Sequence, residues 1–128
     1  MPGELPIYTD SFKAAGNLST LQDTFVKATA AHTVGGAGAG EKAIGVLKNA
    51  PDAAGKAARV QLIGRTQVKV NANSPNIAVG DWIKSGANGV GVQSTTNKDT
   101  VLALALEAAS ADGVIIEVLL LGPFTLNV

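Results

Sequence analysis

Two stretches of the chain match each other and decide the fold: EKAIGVLKNAPDAAGKAARVQLIG at residues 41–64 and DTVLALALEAASADGVIIEVLLLG at residues 99–122. They align without a gap at an offset of 58, and six of the 24 positions are identical. The identical pairs are Ala50/Ala108, Ala53/Ala111, Gly55/Gly113, Val60/Val118, Leu62/Leu120 and Gly64/Gly122. The match predicts two copies of one unit, at about residues 18–64 and 76–122. Neither copy could bury its apolar face alone, so we expect the copies to pack together.

Each copy has the pattern of a β-hairpin. Apolar and polar residues alternate at 58–62 and at 67–71, which is the period of a strand. Turns are predicted at residues 50–55 and 109–113, which contain a Pro-Asp and an Asp-Gly step respectively. Such steps favour turns, because Gly accepts a positive φ and Asp caps its own backbone. Shorter strands are predicted at residues 23–29, 77–85 and 89–94, with turns at 73–76 and 85–89.

Two segments are ambiguous between helix and strand. Residues 101–109 are rich in strong helix formers, but the matching segment 43–49 contains Gly45 and stops before Pro51. We therefore predict a strand there. The strand predicted at 23–29 has as its alternative a short helix over residues 20–27, capped by Ser19.

The predicted fold class is mainly β: a small β-barrel or β-sandwich built from two repeated β-hairpin units, with an extended N-terminal arm. We assign residues 1–17 to the arm and 18–128 to the β-domain, because Pro2, Gly3 and Pro6 disfavour regular structure. The arm carries three apolar side chains that water would not favour, so we expect them to dock, either on another chain or back on their own domain. These residues are Ile7, Tyr8 and Phe12.

The second copy is predicted to have the more apolar outer face. If Val118 and Leu120 point inward, then Leu119 and Leu121 point outward, together with Glu117. The matching outward positions in the first copy hold Arg59, Gln61 and Ile63. A strand that is apolar on both faces is usually covered on both. The cover could be residues 35–40, residues 123–128 or another subunit.

Composition excludes several classes of function. Ten basic residues balance ten acidic ones, so the net charge is zero. This argues against a nucleic-acid partner bound through bulk positive charge and against a polybasic membrane anchor. The apolar run at 101–121 is interrupted by Glu107, Asp112 and Glu117, so we expect no membrane span. There is no cysteine, which excludes disulfides, thiolate metal sites and cysteine nucleophiles.

No catalytic, metal or cofactor site is predicted. The glycine-rich stretch at 35–42 has a phosphate-loop gap between Gly35 and Gly40, but Glu41 stands where such a loop needs Lys. His32 is the single histidine of the chain and is predicted to be a surface or loop residue. Gly35–Lys42 is therefore predicted to be a flexible loop between strands.

The phrase VGDWI at residues 79–83 is the sharpest local motif. Biotinyl and lipoyl carrier domains have a similar phrase, and in that reading Lys56, at a hairpin turn, would be the modified lysine. A small ligand-binding β-barrel that stacks its ligand on Trp82 is a further alternative. In a chain with few aromatic residues, Trp82 is more typical of a core or interface residue.

The order of several phrases resembles the small capsid cement, or head decoration, proteins of tailed bacteriophages. These phrases are GNLSTLQ at 16–22 with FVK at 25–27, IGVLKNAP at 44–51, VGD at 79–81, ALEAA at 105–109 and GVIIEVLL at 113–120. The resemblance covers about residues 14–121.

The resemblance implies a structural virion protein without enzymatic activity on the outer surface of the capsid. Such proteins commonly form trimers at local three-fold positions and bridge neighbouring major capsid proteins. The implied partners are the major capsid protein and the chain itself as a homotrimer, with no nucleic acid, membrane or cofactor. The predicted contact residues are Ile7, Tyr8, Phe12, Trp82, Leu119 and Leu121.

Overall fold

The computed structural model describes residues 5–73, 75–95 and 99–125, and for residues 5–8 it describes only the backbone. Nine strands account for most of it, so the prediction of a mainly β fold with a barrel is confirmed. The strands are β1 (Leu5–Ala14), β2 (Phe25–Ala30), β3 (Thr33–Gly36), β4 (Gly45–Leu47), β5 (Ala57–Asn71), β6 (Trp82–Ser85), β7 (Gly91–Ser94), β8 (Thr100–Ala105) and β9 (Asp112–Thr125). One 3-10 turn, Ala87–Gly89, joins β6 to β7.

The strands form two rings that share β5. In the first ring the order is β1-β3-β2-β4-β5, and β1 closes it by pairing in parallel with β3 and antiparallel with β5. In the second ring the order is β5-β7-β6-β8-β9, and β9 closes it by pairing antiparallel with β5. Closure leaves few unpaired strand edges, which is how small β proteins avoid edge-to-edge aggregation.

The two rings have the same internal order of strands. The series β3-β2-β4-β5 in the first ring corresponds to β7-β6-β8-β9 in the second. Thr33–Gly36 and Gly91–Ser94 are both four residues long and begin 58 positions apart. The second half of β5 takes the place in the second ring that β1 takes in the first. β1 pairs in parallel with β3, and β5 pairs in parallel with β7.

One long strand, β5, serves both rings. The alternating segments 58–62 and 67–71, predicted as separate strands, are two halves of this single strand of 15 residues. Gly64 lies between them with φ of 113°, and the matching Gly122 of β9 has φ of 85°. Such values favour glycine, which carries no Cβ. The first half of β5 pairs with β1 and β4, and the second half pairs with β9 and β7.

Each ring has its own apolar core. Residues from all five strands of the first ring meet in one cluster that includes Val26, Val34, Leu47 and Val60. The larger cluster fills the second ring and also contains Phe25, Ala37, Ala43 and Val46 from the first ring. The second ring therefore packs its interior against the outside of β2 and β4.

Some of the local predictions are confirmed, and others are changed by contacts within the folded chain. Residues 101–109 do contain a strand, β8, as predicted. The helical alternative at 20–27 is wrong, because Asp23 adopts a left-handed conformation with φ of 65° and β2 begins at Phe25. The strand predicted at 77–85 is reduced to β6, because the Asp81 carboxylate accepts the Ala78 amide at 2.8 Å and fixes a turn there.

Residues assigned to the N-terminal arm contribute β1. Its backbone pairs with β5 from Leu5↔Arg65 to Lys13↔Ala57. The side chain of Phe12 is half-buried against the core of the first ring. Of the two docking possibilities that the sequence leaves open, this chain has the one in which the segment packs on its own domain.

Candidate interaction surface

Three apolar side chains form a row across the outside of the second ring. Trp82 of β6 lies opposite Leu104 of β8, and Leu104 lies opposite Leu119 of β9. Residues on either side of them in sequence, such as Ile83, Ala103 and Val118, are fully buried inside the ring. The strand period of two therefore places Trp82, Leu104 and Leu119 on the outer face, where each is half-buried. We call these three residues the outer row.

The end of β9 extends the outer row into a larger patch. Phe124 packs edge-to-face on Trp82 with 5.2 Å between ring centroids and 83° between the planes. Leu121 remains 45% exposed and Phe124 remains 37% exposed. We call the outer row together with Leu121 and Phe124 the apolar patch. The segment 123–128, predicted as a possible cover, thus covers Trp82 in part through Phe124, while residues 126–128 lie outside the described structure.

A groove of about 250 Å³ borders the apolar patch where the two rings meet. It is lined by Lys42, Ala43, Ile44, Thr100, Pro123, Phe124 and Thr125. The loop between β3 and β4 forms one wall, and the ends of β8 and β9 form the other. The patch is therefore continuous with the junction of the rings.

Charged and polar groups lie on either side of the outer row. Glu117, two residues before Leu119 on the same face, lies 3.6 Å from Nε of Arg65. Lys84, two residues after Trp82, forms an ion pair with Asp99 at 2.8 Å, and Asp99 also accepts the Ser94 hydroxyl at 2.7 Å. An apolar centre with a polar rim is the usual anatomy of a protein–protein interface.

The first ring has an equivalent row, but that row is buried. Phe25 of β2 lies opposite Val46 of β4, and Val46 lies opposite Gln61 of β5. All three side chains have no exposed surface. Val46 and Gln61 precede Leu104 and Leu119 by 58 positions, and Phe25 precedes Trp82 by 57.

We call Phe25, Val46 and Gln61 the first row, and the second ring covers Phe25 and Val46. Phe25 and Val46 belong to the same apolar cluster as Val68, Val70 and Ile83 from inside the second ring. The Lys69 amide donates to the Asp23 carbonyl at 2.8 Å, which ties β5 to the residue before this row. A continuous cluster and a backbone hydrogen bond make this a well-packed internal interface.

The turn between β6 and β7 makes the closest approach to the first row. Gly89 in that turn is buried, with φ of 75°, and a Cβ added there would collide with backbone atoms of Phe25. A glycine is thus required for both the backbone conformation and the contact. The tip of the β6–β7 hairpin therefore sits directly on the first row.

Three of the six contact residues predicted from sequence lie together in the apolar patch: Trp82, Leu119 and Leu121. Phe12 lies apart from them in the first ring. The backbone of Tyr8 in β1 pairs with that of Ile63 in β5, while the side chains of Ile7 and Tyr8 are outside the described structure.

Sequence reasoning missed Leu104 and Phe124. Leu104 sits in a run of alternating Leu and Ala that has apolar residues on both faces, so periodicity alone could not show which face points outward. Phe124 follows Gly122 and Pro123, which are typical of a turn, whereas the structure continues β9 through them to Thr125.

The other candidate sites have structural roles in their surroundings. In the glycine-rich stretch, the amides of Ala37, Gly38 and Gly40 donate to Phe25, Glu41 and Ser85 respectively, so the loop is held by internal partners. The Lys27 ammonium and the Gly38 amide both bond the Glu41 carboxylate and lower its pKa. His32 lies exposed at the tip of the β2–β3 hairpin, with φ of 53°.

Lys56 is 61% exposed and pairs with Asp52 at 2.7 Å just before β5. Within the described ranges, no three histidine or carboxylate side chains come close enough together to share a metal ion. None of the helical segments in that part of the chain is long and apolar enough to cross a bilayer.

Comparison with known proteins gives a match at the level of fold. No family model and no curated protein sequence matches the chain. Among solved structures, the N base of the head fiber protein gp8.5 of bacteriophage phi29 is similar, with a TM-score of 0.67 and 17% sequence identity. The alignment covers 91% of this chain and 97% of that one. The chain therefore has the fold of this phage head fiber base over nearly its whole described length.

Proposed function

We propose that the protein is a structural component of a phage virion that decorates the outer surface of the capsid. In this proposal it acts without catalysis, assembles as a trimer at local three-fold positions, and bridges neighbouring major capsid proteins. The observation that carries the proposal is the shared fold with the base of a phage head fiber, which spans almost all of both chains.

The surface of the molecule supports a function based on contact. The apolar patch is flanked by ion pairs and is large enough to include two aromatic rings and three leucines. Exposed apolar surface on a soluble protein is a liability unless a partner covers it. The neutral net charge fits a protein partner better than a nucleic acid.

In a trimer, weak contacts at each subunit would be sufficient for tight binding to the capsid. Once one subunit has bound, the others bind at high effective concentration, which can raise the overall affinity about 10²–10⁴-fold over one contact. Preferential binding to the mature shell would also stabilise that shell by mass action. Both effects need only contacts of ordinary strength at each subunit.

Sedimentation with capsids tests the proposal. Cognate capsids that lack the protein are mixed with increasing amounts of it, pelleted, and assayed for copies bound per major capsid subunit. We expect saturation at a fixed ratio and a higher melting temperature of the decorated shell. Absence of saturable binding to the cognate shell would contradict the proposal.

Two matched variants show whether the apolar patch is involved. Leu121→Lys places a charge in the patch, whereas Ile63→Lys places one at the position 58 residues earlier, where the side chain is 42% exposed. We expect Leu121→Lys to weaken capsid binding at least about 10-fold, as loss of a central interface residue does. Ile63→Lys should bind like the wild type.

A further inference from the structure

Inside the chain, a row of side chains on the first ring contacts a hairpin tip on the second ring. The equivalent row on the second ring and the equivalent tip on the first ring are not used in this way within the described chain. In the first row of Phe25, Val46 and Gln61, all buried, Phe25 and Val46 are covered by the second ring, and Phe25 also by its β6–β7 hairpin tip. The outer row of the second ring stands at the same place in its ring and is only half-buried. The surface that a neighbouring ring would cover is therefore still available on the second ring.

The matching projection on the first ring is also uncovered. The β2–β3 hairpin occupies the place that the β6–β7 hairpin occupies in the second ring. Its residues 28–32 are all exposed and are mostly small: Ala28, Thr29, Ala30, Ala31 and His32. Small side chains at a hairpin tip allow close approach to another surface, as Gly89 does at the internal interface.

We propose that the outer row of one chain binds the β2–β3 hairpin tip of a second copy of the same chain. This proposal rests on the proposed function and specifies the surfaces through which its trimer would form. The occupant is a second copy because the equivalent row inside this chain is covered by a ring of the same strand order, through the equivalent hairpin tip.

The contact would be head-to-tail, since the row and the tip belong to different rings. Heterologous contacts of this kind close into a ring when the rotation between subunits permits. Three copies related by a three-fold axis would satisfy every outer row and every tip. A monomer would leave one of each exposed to water.

Complementation between two variants distinguishes this contact from others. Leu119→Lys damages the row, and Ala31→Asp damages the tip, at residues that the structure places on different rings. By sedimentation velocity, the wild type should form a closed oligomer, and each variant alone should self-associate at least about 10-fold more weakly. A mixture of the two should give heterodimers, because one chain supplies an intact row and the other an intact tip.

Controls guard against loss of folding and against a different geometry. Ile115→Lys, on the same strand and facing outward beyond Glu117, should assemble like the wild type, and circular dichroism should show all variants folded. Leu121→Lys, at a more exposed position of the apolar patch, replaces Leu119→Lys if the latter melts early. Cross-linking gives a second readout: the Ala31→Cys/Leu104→Cys double variant should form covalent oligomers in a chain with no native cysteine.

Three results would overturn the proposal. A wild type that stays monomeric up to millimolar concentration and still decorates capsids would refute the self-contact while leaving the proposed function intact. Normal assembly by Ala31→Asp would show that the tip is not the partner of the row. Failure of the mixed variants to form heterodimers would show that an intact row and an intact tip do not bind each other.

Discussion

Of the two equivalent rows, the first row is the more polar one and is nevertheless the more deeply buried. The first row contains Gln61 and is completely buried, whereas the second contains Leu119 in its place and is half-exposed. The Nε2 of Gln61 donates to the carbonyls of Ile63 and Arg65, at 3.3 and 3.1 Å, whereas its Oε1 has no hydrogen-bond partner within the described residues. The comparison teaches that the neighbouring ring, more than the side chain itself, decides which row is covered.

The polar contacts beside the two rows also differ in burial. Beside the first row, the Lys48 ammonium is only 4% exposed and pairs with Asp23 at 2.6 Å, in addition to a contact with the Gln67 carbonyl. In the second ring, the position 58 residues after Lys48 is Leu106, and Asp81 instead accepts Gln93 at 2.8 Å. The Lys48–Asp23 ion pair thus lies at the junction between the rings.

The largest expected effect comes from adding a Cβ at that junction. Gly89→Ala combines an unfavourable left-handed conformation, about 1–2 kcal/mol, with overpacking against Phe25, about 1–3 kcal/mol. We expect a loss of about 3–4 kcal/mol in the free energy of unfolding, measured by urea denaturation. Gly55→Ala, at a positive φ with open space around it, is the matched control and should lose only about 1–2 kcal/mol. Equal losses would show that the hairpin tip does not press on the first row.

Removing one member of the buried ion pair is next in size. Asp23→Asn preserves a residue that tolerates a positive φ but leaves the Lys48 ammonium without its carboxylate. We expect a loss of about 3 kcal/mol, typical of breaking a buried pair. Asp52→Asn, in the exposed pair with Lys56, should leave the denaturation midpoint unchanged. A loss no larger than that of Asp52→Asn would place the Lys48 charge in water.

A smaller effect of opposite sign is expected inside the second ring. Thr66 is fully buried, and its hydroxyl has no hydrogen-bond partner within the described residues. Thr66→Val keeps the shape and removes a buried polar atom, so we expect about 1 kcal/mol of stabilisation. Thermal unfolding should show a higher Tm, and Thr66→Ser, which keeps the hydroxyl, should show none of this gain.

The smallest effect is a dependence on pH at the loop that borders the groove. Hydrogen bonds from Lys27 and from the Gly38 amide hold the pKa of Glu41 below its ordinary value of 4.5. The ionised form is favoured in the folded state, so its contribution to stability is present above about pH 4.5 and is lost as the pH falls through the folded pKa. Carboxyl NMR titration should show the lowered pKa, and Lys27→Met should move it back toward 4.5. An unchanged pKa in Lys27→Met would assign the shift to the amide alone.

Much of the local structure could be predicted because strand period and turn chemistry are local properties. The alternation at residues 58–62 and 67–71 correctly predicted extended backbone, and the Asp-Gly step at 112–113 lies where β9 begins. The inward direction of Val118 and the outward direction of Leu121 also followed from period two. The joining of 58–62 to 67–71 in one strand was missed, because Gly64 suggests a break when its partners on β1 and β9 are unknown.

The candidate surface was predicted in part for the same reason. Trp82, Leu119 and Leu121 could be selected as contact residues from their apolar character and strand direction. Their meeting in one patch depends on β6, β8 and β9 pairing in register across more than 35 residues of sequence. Phe124 could join them only after β9 had passed Gly122 and paired again with β8 at Val101.

The sequence by itself determined the extended strands with alternating faces, the glycines at positions such as 64 and 122 where φ is positive, and the net charge of zero. Tertiary structure alone decided which of two equivalent outer rows is covered, because burial depends on where a distant ring packs. Phe25 and Val46 lie in the interior while Trp82 and Leu104 are half-buried, because the second ring packs on the first.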